Sequence, residues 1–491
     1  MEISWKLEKE YEIAREGKLT VGNRIVNTPS ILLGLKSKRE VEWTIETFNY
    51  LDSSQPIKDL FRIGGFVIES QNAPSCLDNH LLAFDKANGN QTDLNGKKIT
   101  GISEINNFYA LLKSKKRFLL IDPNLDRLPY SAYRERFGSD IRGYLPVEIQ
   151  KILRTQKTEE IGGGKRERVQ KALILSQEKK TRDPIKRGES EKPEINPSNE
   201  QAFEAGISEI AATLIIKMFE LQTKYHASAL ISPYWPIDLG AFDETMALTM
   251  RMYRLSNDLS SKLYGGERPI PVLSLRKNIL SDVSPTPRTD PIPPSWKKIC
   301  SEFCSISPSL LILKITDLNT FDPMSENQYD GLIKFCRFIR KQTKVPILLF
   351  GSNEFFYLLI YEGIDMASNH LYHPSYESGF SMTSEDRKNI DLARKYYIPR
   401  EWGFKKVTEL ESLDDCPFCE HFSGLVPDDI SIGELDSLRF KHMIFNVNED
   451  LEQLVAEMKK GSLRIALLDR CADTGWKKNF TKYLHSPRGS R

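Results

Sequence analysis

The stretch VPILLFGSNEFFYLLIYEGIDMASNH, residues 345–370, decides the fold. It opens on an apolar run, Val345 to Phe350, that reads as a buried strand. Gly351, Ser352 and Asn353 then turn the chain, and Ser352 or Asn353 can cap a helix over about 354–362. Gly363 ends that helix, and Ile364 to Asn369 forms a second strand. The pattern is a βαβ unit. Its second strand finishes in polar residues, Ser368, Asn369 and His370, at the end where a (β/α)8 barrel carries its chemistry.

Working outward, the same kind of apolar run recurs. Residues 30–33, 65–70, 117–122, 227–232, 270–275, 310–316, 345–350 and 364–369 all read as strands, with helical patterns between them. Near-continuous Val, Ile, Leu and Phe in strands that alternate with helices predicts a parallel sheet covered by helices. Eight such runs predict an α/β fold, a (β/α)8 TIM barrel over about 30–405. Ahead of it, Tyr11 to Thr28 reads as a hairpin around a Gly22-Asn23 turn, so residues 1–29 are expected to form an N-terminal antiparallel sheet.

The rhythm breaks at about 155–200, where a triple glycine and dense Lys and Arg leave few apolar anchors. This reads as a mobile basic insertion around one short helix, Val169 to Glu178. Either a nucleic-acid contact or a solvated loop accounts for its charge. Residues 284–294 are proline-dense and expected to be extended. The tail, 471–491, carries five Lys or Arg and no acid after Asp473, which suits phosphate contact.

Composition narrows the class. The chain has 491 residues, long enough for one large domain with attachments. Its net charge of +2 does not by itself call for a nucleic-acid partner. No apolar run reaches the ~18 residues of a membrane helix, and the charged start, Met1 to Lys6, is unlike a signal peptide. Seven cysteines, mostly isolated in apolar surroundings, fit a reducing cytoplasm.

Residues 406–470 hold the second signal. Cys416 and Cys419 are spaced to chelate one ion from a tight turn, and His442 can close the site from a following helix. A closed tetrahedral Zn2+ site needs a fourth ligand. Asp414 is the nearest carboxylate, with His421 as its competitor.

Together these residues resemble the tRNA-guanine transglycosylases, enzymes that swap an encoded guanine for a 7-deazaguanine base. The likeness runs in order along most of the chain. Ala14-Arg15-Glu16-Gly17-Lys18-Leu19 and Asn27-Thr28-Pro29 are similar to the family's A-R-x-G-x-L and E-T-P. Leu120-Ile121-Asp122-Pro123-Asn124 is similar to its strand ending in D-S-G-G. Phe137 to Gly143 and Pro146 to Gln150 are similar to F-x-S-x-x-D-G and P-E-x-x-x-x-I-Q. Gly363-Ile364-Asp365-Met366 matches G-I-D-M, and Asp414, Cys416, Cys419 and His442 are similar to C-x-C-x-x-C with its distant His.

The resemblance implies a barrel with an N-terminal sheet and a structural zinc subdomain. It also implies that Asp122 stands at the acid/base position. At the nucleophile position, two residues after Met366, the chain has Ser368, and a neutral hydroxyl does not stabilise an oxocarbenium-like transition state. Asp365 cannot replace it, because strand parity turns it to the other face. Asn124, Ser232, Tyr234, Leu275 and Asn369 stand where base contacts are expected, although Asp122 also suits a cap and Tyr234 a packed core. Near Ser232 the family's base-reading Asp is replaced, with Asp238 close by, and Arg276 follows Leu275.

The expected function is that of a transglycosylase-like protein repurposed to bind a 7-deazaguanine group, free or attached to a partner protein, without base exchange. Such proteins resemble the components of type IV CBASS antiphage operons. That resemblance implies a CD-NTase-like cyclic-oligonucleotide synthase and a QueC-like protein as partners. The alternative is an active guanine transglycosylase or glycosidase on tRNA or DNA.

Overall fold

The structure is a computed structural model that describes residues 3–11, 14–54, 62–70, 72–77, 83–84, 91–92, 101–123, 215–216, 218–234, 236–281, 292–316, 326–351, 355–369, 395–399, 403–407, 410, 416–420, 430, 432–471 and 481. The basic insertion, all of the tail beyond 471 except residue 481, the Ser352 and Asn353 caps, and most of the 284–294 loop lie outside the described residues.

Three antiparallel strands come first: β1 (Ile3–Tyr11), β2 (Ala14–Val21) and β3 (Arg24–Thr28). The predicted hairpin is the β2–β3 pair, with Gly22 at φ 59 in its turn. Sequence reading missed β1. Its alternation puts charge on an exposed face, and Ile3, Trp5 and Tyr11 pack against the core.

The main sheet holds β4 (Ser30–Leu35) and β5 (Ile63–Glu69). A two-residue ladder, β6 (Ala83–Phe84) with β7 (Gln91–Thr92), stands apart from it. The main sheet continues in β8 (Phe118–Asp122), β9 (Val272–Arg276), β10 (Leu311–Thr316), β11 (Ile347–Phe350) and β12 (Met366–Asn369). Its seven strands run parallel in the order β8-β5-β4-β12-β11-β10-β9. The opening stretch forms the expected unit, with a helix at Phe355–Ile360 between β11 and β12. Gly363 at φ 87 ends it, with Ile364 N–H donating to Leu359 O at 3.1 Å, as a Schellman motif requires.

The sheet curls into a half-barrel. Lys314 of β10 reaches Asp122 of β8 at 3.2 Å, although these strands lie near opposite ends of the order. Residues 227–232, the expected eighth strand, form only an isolated bridge, Ile231 to Ile270. Ser228 N–H nevertheless donates to Leu119 O on β8 at 2.7 Å, and Ile270 N–H donates to Leu230 O at 2.8 Å. Gln222 explains why no full ladder forms. Its side-chain amide takes both the N–H (2.7 Å) and the carbonyl (3.0 Å) of Ile231. Pro233 then has no N–H to donate.

Two apolar layers result. Leu32, Val67, Leu120, Val272, Ile312 and Met366 face the concave side, where Leu19, Val21 and Val26 of the N-terminal sheet close the lower rim. Leu33, Phe66, Leu119, Leu273, Leu313 and Ala367 face the covering helices. The longest helix in that cover is Ile432–Lys460.

One ion pair joins the small sheet to the large one. Arg15 of β2 donates to Asp365, just before β12, and both side chains are fully buried. The same guanidinium donates to Lys344 O (3.1 Å) and Val345 O (3.2 Å), and Ile347 N–H donates to Asp365 Oδ2 at 2.8 Å. Burial pushes the Asp365 carboxyl above the ordinary range, while Arg15, the Ile347 N–H and Arg340 oppose that push. Removing one partner leaves an uncompensated group in the core. Arg15→Met or Asp365→Ala is therefore expected to cost ~3–5 kcal/mol. The double variant should cost less than the sum, as read from urea unfolding midpoints in a double-mutant cycle.

Candidate functional site

Two polar clusters sit on this frame, one at the strand ends and one beneath the long C-terminal helix. At the strand ends, parity brings Asp122, Ser274, Lys314 and Ser368 onto the concave side, because they alternate in phase with Leu120, Val272, Ile312 and Met366.

Asp122 ends β8 and is 4% exposed. Its Oδ1 accepts from Tyr234 Oη at 2.7 Å, and its Oδ2 accepts from Lys314 Nζ at 3.2 Å. Lys314 Nζ also donates to Tyr234 Oη at 2.9 Å and lies 5.4 Å from the ring centroid. The three groups form a closed hydrogen-bonded triangle. The Asp122 carboxyl is thus engaged on both oxygens by protein groups.

Ser368 is 1% exposed, and its Oγ accepts from Gly351 N–H at 3.1 Å. That bond links the ends of β11 and β12. Asp365 faces away, toward Arg15, as its parity predicts. Ser232 is buried and donates to Pro233 O or shares a 3.0 Å bond with Ser256. Tyr234 is buried within the inner layer and in the triangle. Leu275 corrects an expectation. Its side chain packs in the outer layer, and Ser274 and Arg276 take the inner face at β9. Asp238 caps a short 3-10 turn by accepting from Gly240 N–H at 2.7 Å, and it also binds Asn278 at 3.0 Å. Asn124 lies outside the described residues, as does the side chain of Asn369.

Lys314 was not anticipated, yet its signal is visible. It is the lone charge in an otherwise apolar strand, LILKIT. A buried lysine in such a run requires a partner, but the partner's identity is not written in the local sequence.

The second cluster joins Cys416, Cys419 and His442, all buried, with their ligand atoms within 4.8 Å of one another. His442 lies on the helix Ile432–Lys460, and the cysteines lie in a tight turn whose Cys419 N–H donates to Cys416 O at 2.9 Å. His442 Nε2 is 2.9 Å from Tyr397 O. A carbonyl only accepts, so Nε2 carries the proton and Nδ1 presents its lone pair to the sulfurs. Nδ1 is 3.3 Å from each sulfur. A tetrahedral ion with bonds of ~2.3 Å to sulfur and ~2.0 Å to nitrogen needs about 3.6 Å, so a slight expansion admits a metal. Cys416 is already acidified. The hydrogen bond with Cys419 is the largest cause, and His442 adds to it, holding the thiol at about 5 against the opposing effect of burial.

Tyr396 is a further finding. It lies on β13 (Lys395–Ile398), which pairs with β14 (Gly403–Lys406). Its hydroxyl is 3.2 Å from Cys419 Sγ and 2.9 Å from His442 Nδ1, and its ring stacks on the imidazole at 4.1 Å. With Nδ1 turned to a metal, that hydroxyl is left to bond Cys419 Sγ, while the ring packs on the imidazole. Asp414 and His421, the expected fourth-ligand candidates, lie outside the described residues.

The chemistry sets two expectations. Tyr396→Phe should lower metal affinity about 10–100-fold, measured by chelator competition followed in the absorbance of bound Co2+. Protons compete for the Cys416 thiolate, so metal should be retained at neutral pH and its affinity should fall only as pH drops below about 5. Dialysis at stepped pH with elemental analysis reads this directly. No family model and no curated protein matches the chain.

Proposed function

We propose that this chain is a transglycosylase-like binding protein that holds a 7-deazaguanine group, free or carried on a partner protein, without exchanging it. One observation carries the reading. The carboxylates at the described concave strand ends are engaged: Glu69, beside Asp122, accepts from Asn72 Nδ2 at 3.2 Å. Asp122 is held between Lys314 and Tyr234, Ser368 replaces the acid on β12, and Asp365 is tied to Arg15 on the other side. A glycosidic exchange needs an unencumbered nucleophile and a proton donor. The rival reading, base exchange with Asp122 as nucleophile on tRNA or DNA, requires Asp122 first to part from an ammonium and a phenol.

On this proposal residues 228–232 stand in for the remaining strand of a (β/α)8 barrel, supported by their bonds to both edges of the half-barrel. The metal is Zn2+, supported by the two-sulfur, one-nitrogen donor set and the proton on His442 Nε2. Zinc would hold the Cys416 turn to the long helix as a structural ion. A cyclic-oligonucleotide synthase and a QueC-like protein remain the partners proposed from the resemblance, in antiphage defence. Among the described residues, no helix is long and apolar enough to cross a membrane.

The test is exchange of labelled guanine into tRNA and into DNA by the full chain. No incorporation above background is expected. Robust incorporation that Asp122→Asn abolishes would sink the binding-protein reading in favour of an active transglycosylase.

A further inference from the structure

We propose that Cys416 and Cys419 form a dithiol that a hydroperoxide closes to a disulfide, so that the cluster holds either an ion or an S–S bond. The inference stands apart from the base-binding reading and uses the geometry of the cluster.

Backbone placement comes first. Cys419 N–H donates to Cys416 O at 2.9 Å, which closes a tight turn over 416–419. Such a turn keeps its end α-carbons within about 7 Å, and a disulfide spans roughly 4.4–6.8 Å between α-carbons. The two sulfurs already lie within 4.8 Å of each other. The one other pair of cysteines close in sequence, Cys300 and Cys304, sits four residues apart on the helix Pro294–Ser305. That spacing holds β-carbons about 5–6 Å apart, against the ~3.8 Å that a disulfide needs. Exposure alone would select Cys304, which is half-buried and gives its thiol to Gln342 O at 3.5 Å. Cys416 is 7% exposed and Cys419 1%, so Cys416 is the one of the pair that a small oxidant meets first.

Local bonds assign the same order. Cys416 Sγ accepts from Cys419 N–H at 3.3 Å, and that donor stabilises negative charge on the attacking sulfur. The Cys416 sulfur attacks one oxygen of hydrogen peroxide, and the O–O bond breaks. The Cys416 proton leaves on the other oxygen as water, and a sulfenic acid remains. The Cys419 sulfur then attacks the sulfenic sulfur, the S–O bond breaks, and the hydroxyl departs with the Cys419 proton as a second water. Two thiols lose two electrons and two protons, and the peroxide is reduced to water. The disulfide removes both sulfur donors and leaves His442 alone to hold an ion. A bound ion in turn engages the sulfur lone pairs that attack requires.

The test compares the full chain stripped of metal by a chelator with the same chain loaded with Zn2+, each treated with hydrogen peroxide. Alkylation and peptide mass spectrometry follow every cysteine. In the stripped chain the Cys416–Cys419 disulfide is expected to form about 10-fold faster than Cys304 oxidises, because a resolving thiol lies beside the first sulfur, and Zn2+ should slow it by about as much. Cys336 and Cys471 are fully buried and report an intact fold by staying unmodified. If stripping exposes them, the loaded chain is oxidised instead, with one ion released per disulfide expected. Cys419→Ser should leave a sulfenic acid on Cys416 that a cyclic diketone traps, and Cys416→Ser should leave Cys419 a thiol. In the reverse direction, the oxidised chain should take up Co2+ only after a dithiol reduces it. Oxidation of Cys304 ahead of the pair, equal rates with and without Zn2+, or an ion held alongside the disulfide overturns the inference.

Discussion

The contact between Arg15 and Asp365 governs the geometry of everything above it. It joins the second strand of the small sheet to the start of the last strand of the large one. A guanidinium buried without a carboxylate, or the reverse, is strongly unfavourable, so the two sheets assemble in one register. That register turns Met366 and Ser368 inward and leaves Asp365 on the other side. The inward facing of Ser368 is therefore consistent with the ion pair at the start of the same strand.

The concave end is polar but internally balanced. Asp122, Tyr234 and Lys314 satisfy one another, and Ser368 serves the backbone of Gly351. Catalytic carboxylates work because part of their bonding capacity is open to substrate. Here the capacity of Asp122 is shared with two protein groups. The Cys416, Cys419 and His442 cluster follows a different logic. Three donors that could hold an ion converge beneath a helix, with the second nitrogen of His442 on Tyr397 O and the Tyr396 hydroxyl at Cys419 Sγ.

Much of the fold was legible in the sequence. Seven of the eight expected runs are strands, because continuous Ile, Leu, Val and Phe read as buried parallel strands regardless of partner. The exception, 227–232, looks identical in composition. What separates it is Gln222, whose amide occupies the backbone groups of Ile231. The N-terminal strand was missed for the opposite reason, since it buries little and its charges hide its alternation. At the site, Cys416, Cys419 and His442 were legible because ligand spacing is a local property. Tyr396 and Lys314 were not singled out, since a tyrosine and a lysine acquire their roles only from what lies across the fold. Leu275 shows the converse error, where a shift of one residue along a strand exchanges inside for outside.

By itself, then, the sequence determined the alternation of strands and helices, the spacing of three metal donors, and the absence of a carboxylate at position 368. These are properties of short windows, set by side-chain period and residue type. Only the tertiary structure decided that Lys314 faces Asp122 across the curl of the sheet, that Tyr234 closes the triangle, and that Arg15 claims Asp365. Those pairs are 192, 112 and 350 residues apart in the chain. Their meeting depends on sheet curvature and register, which are summed over many weak contacts and written in no single segment.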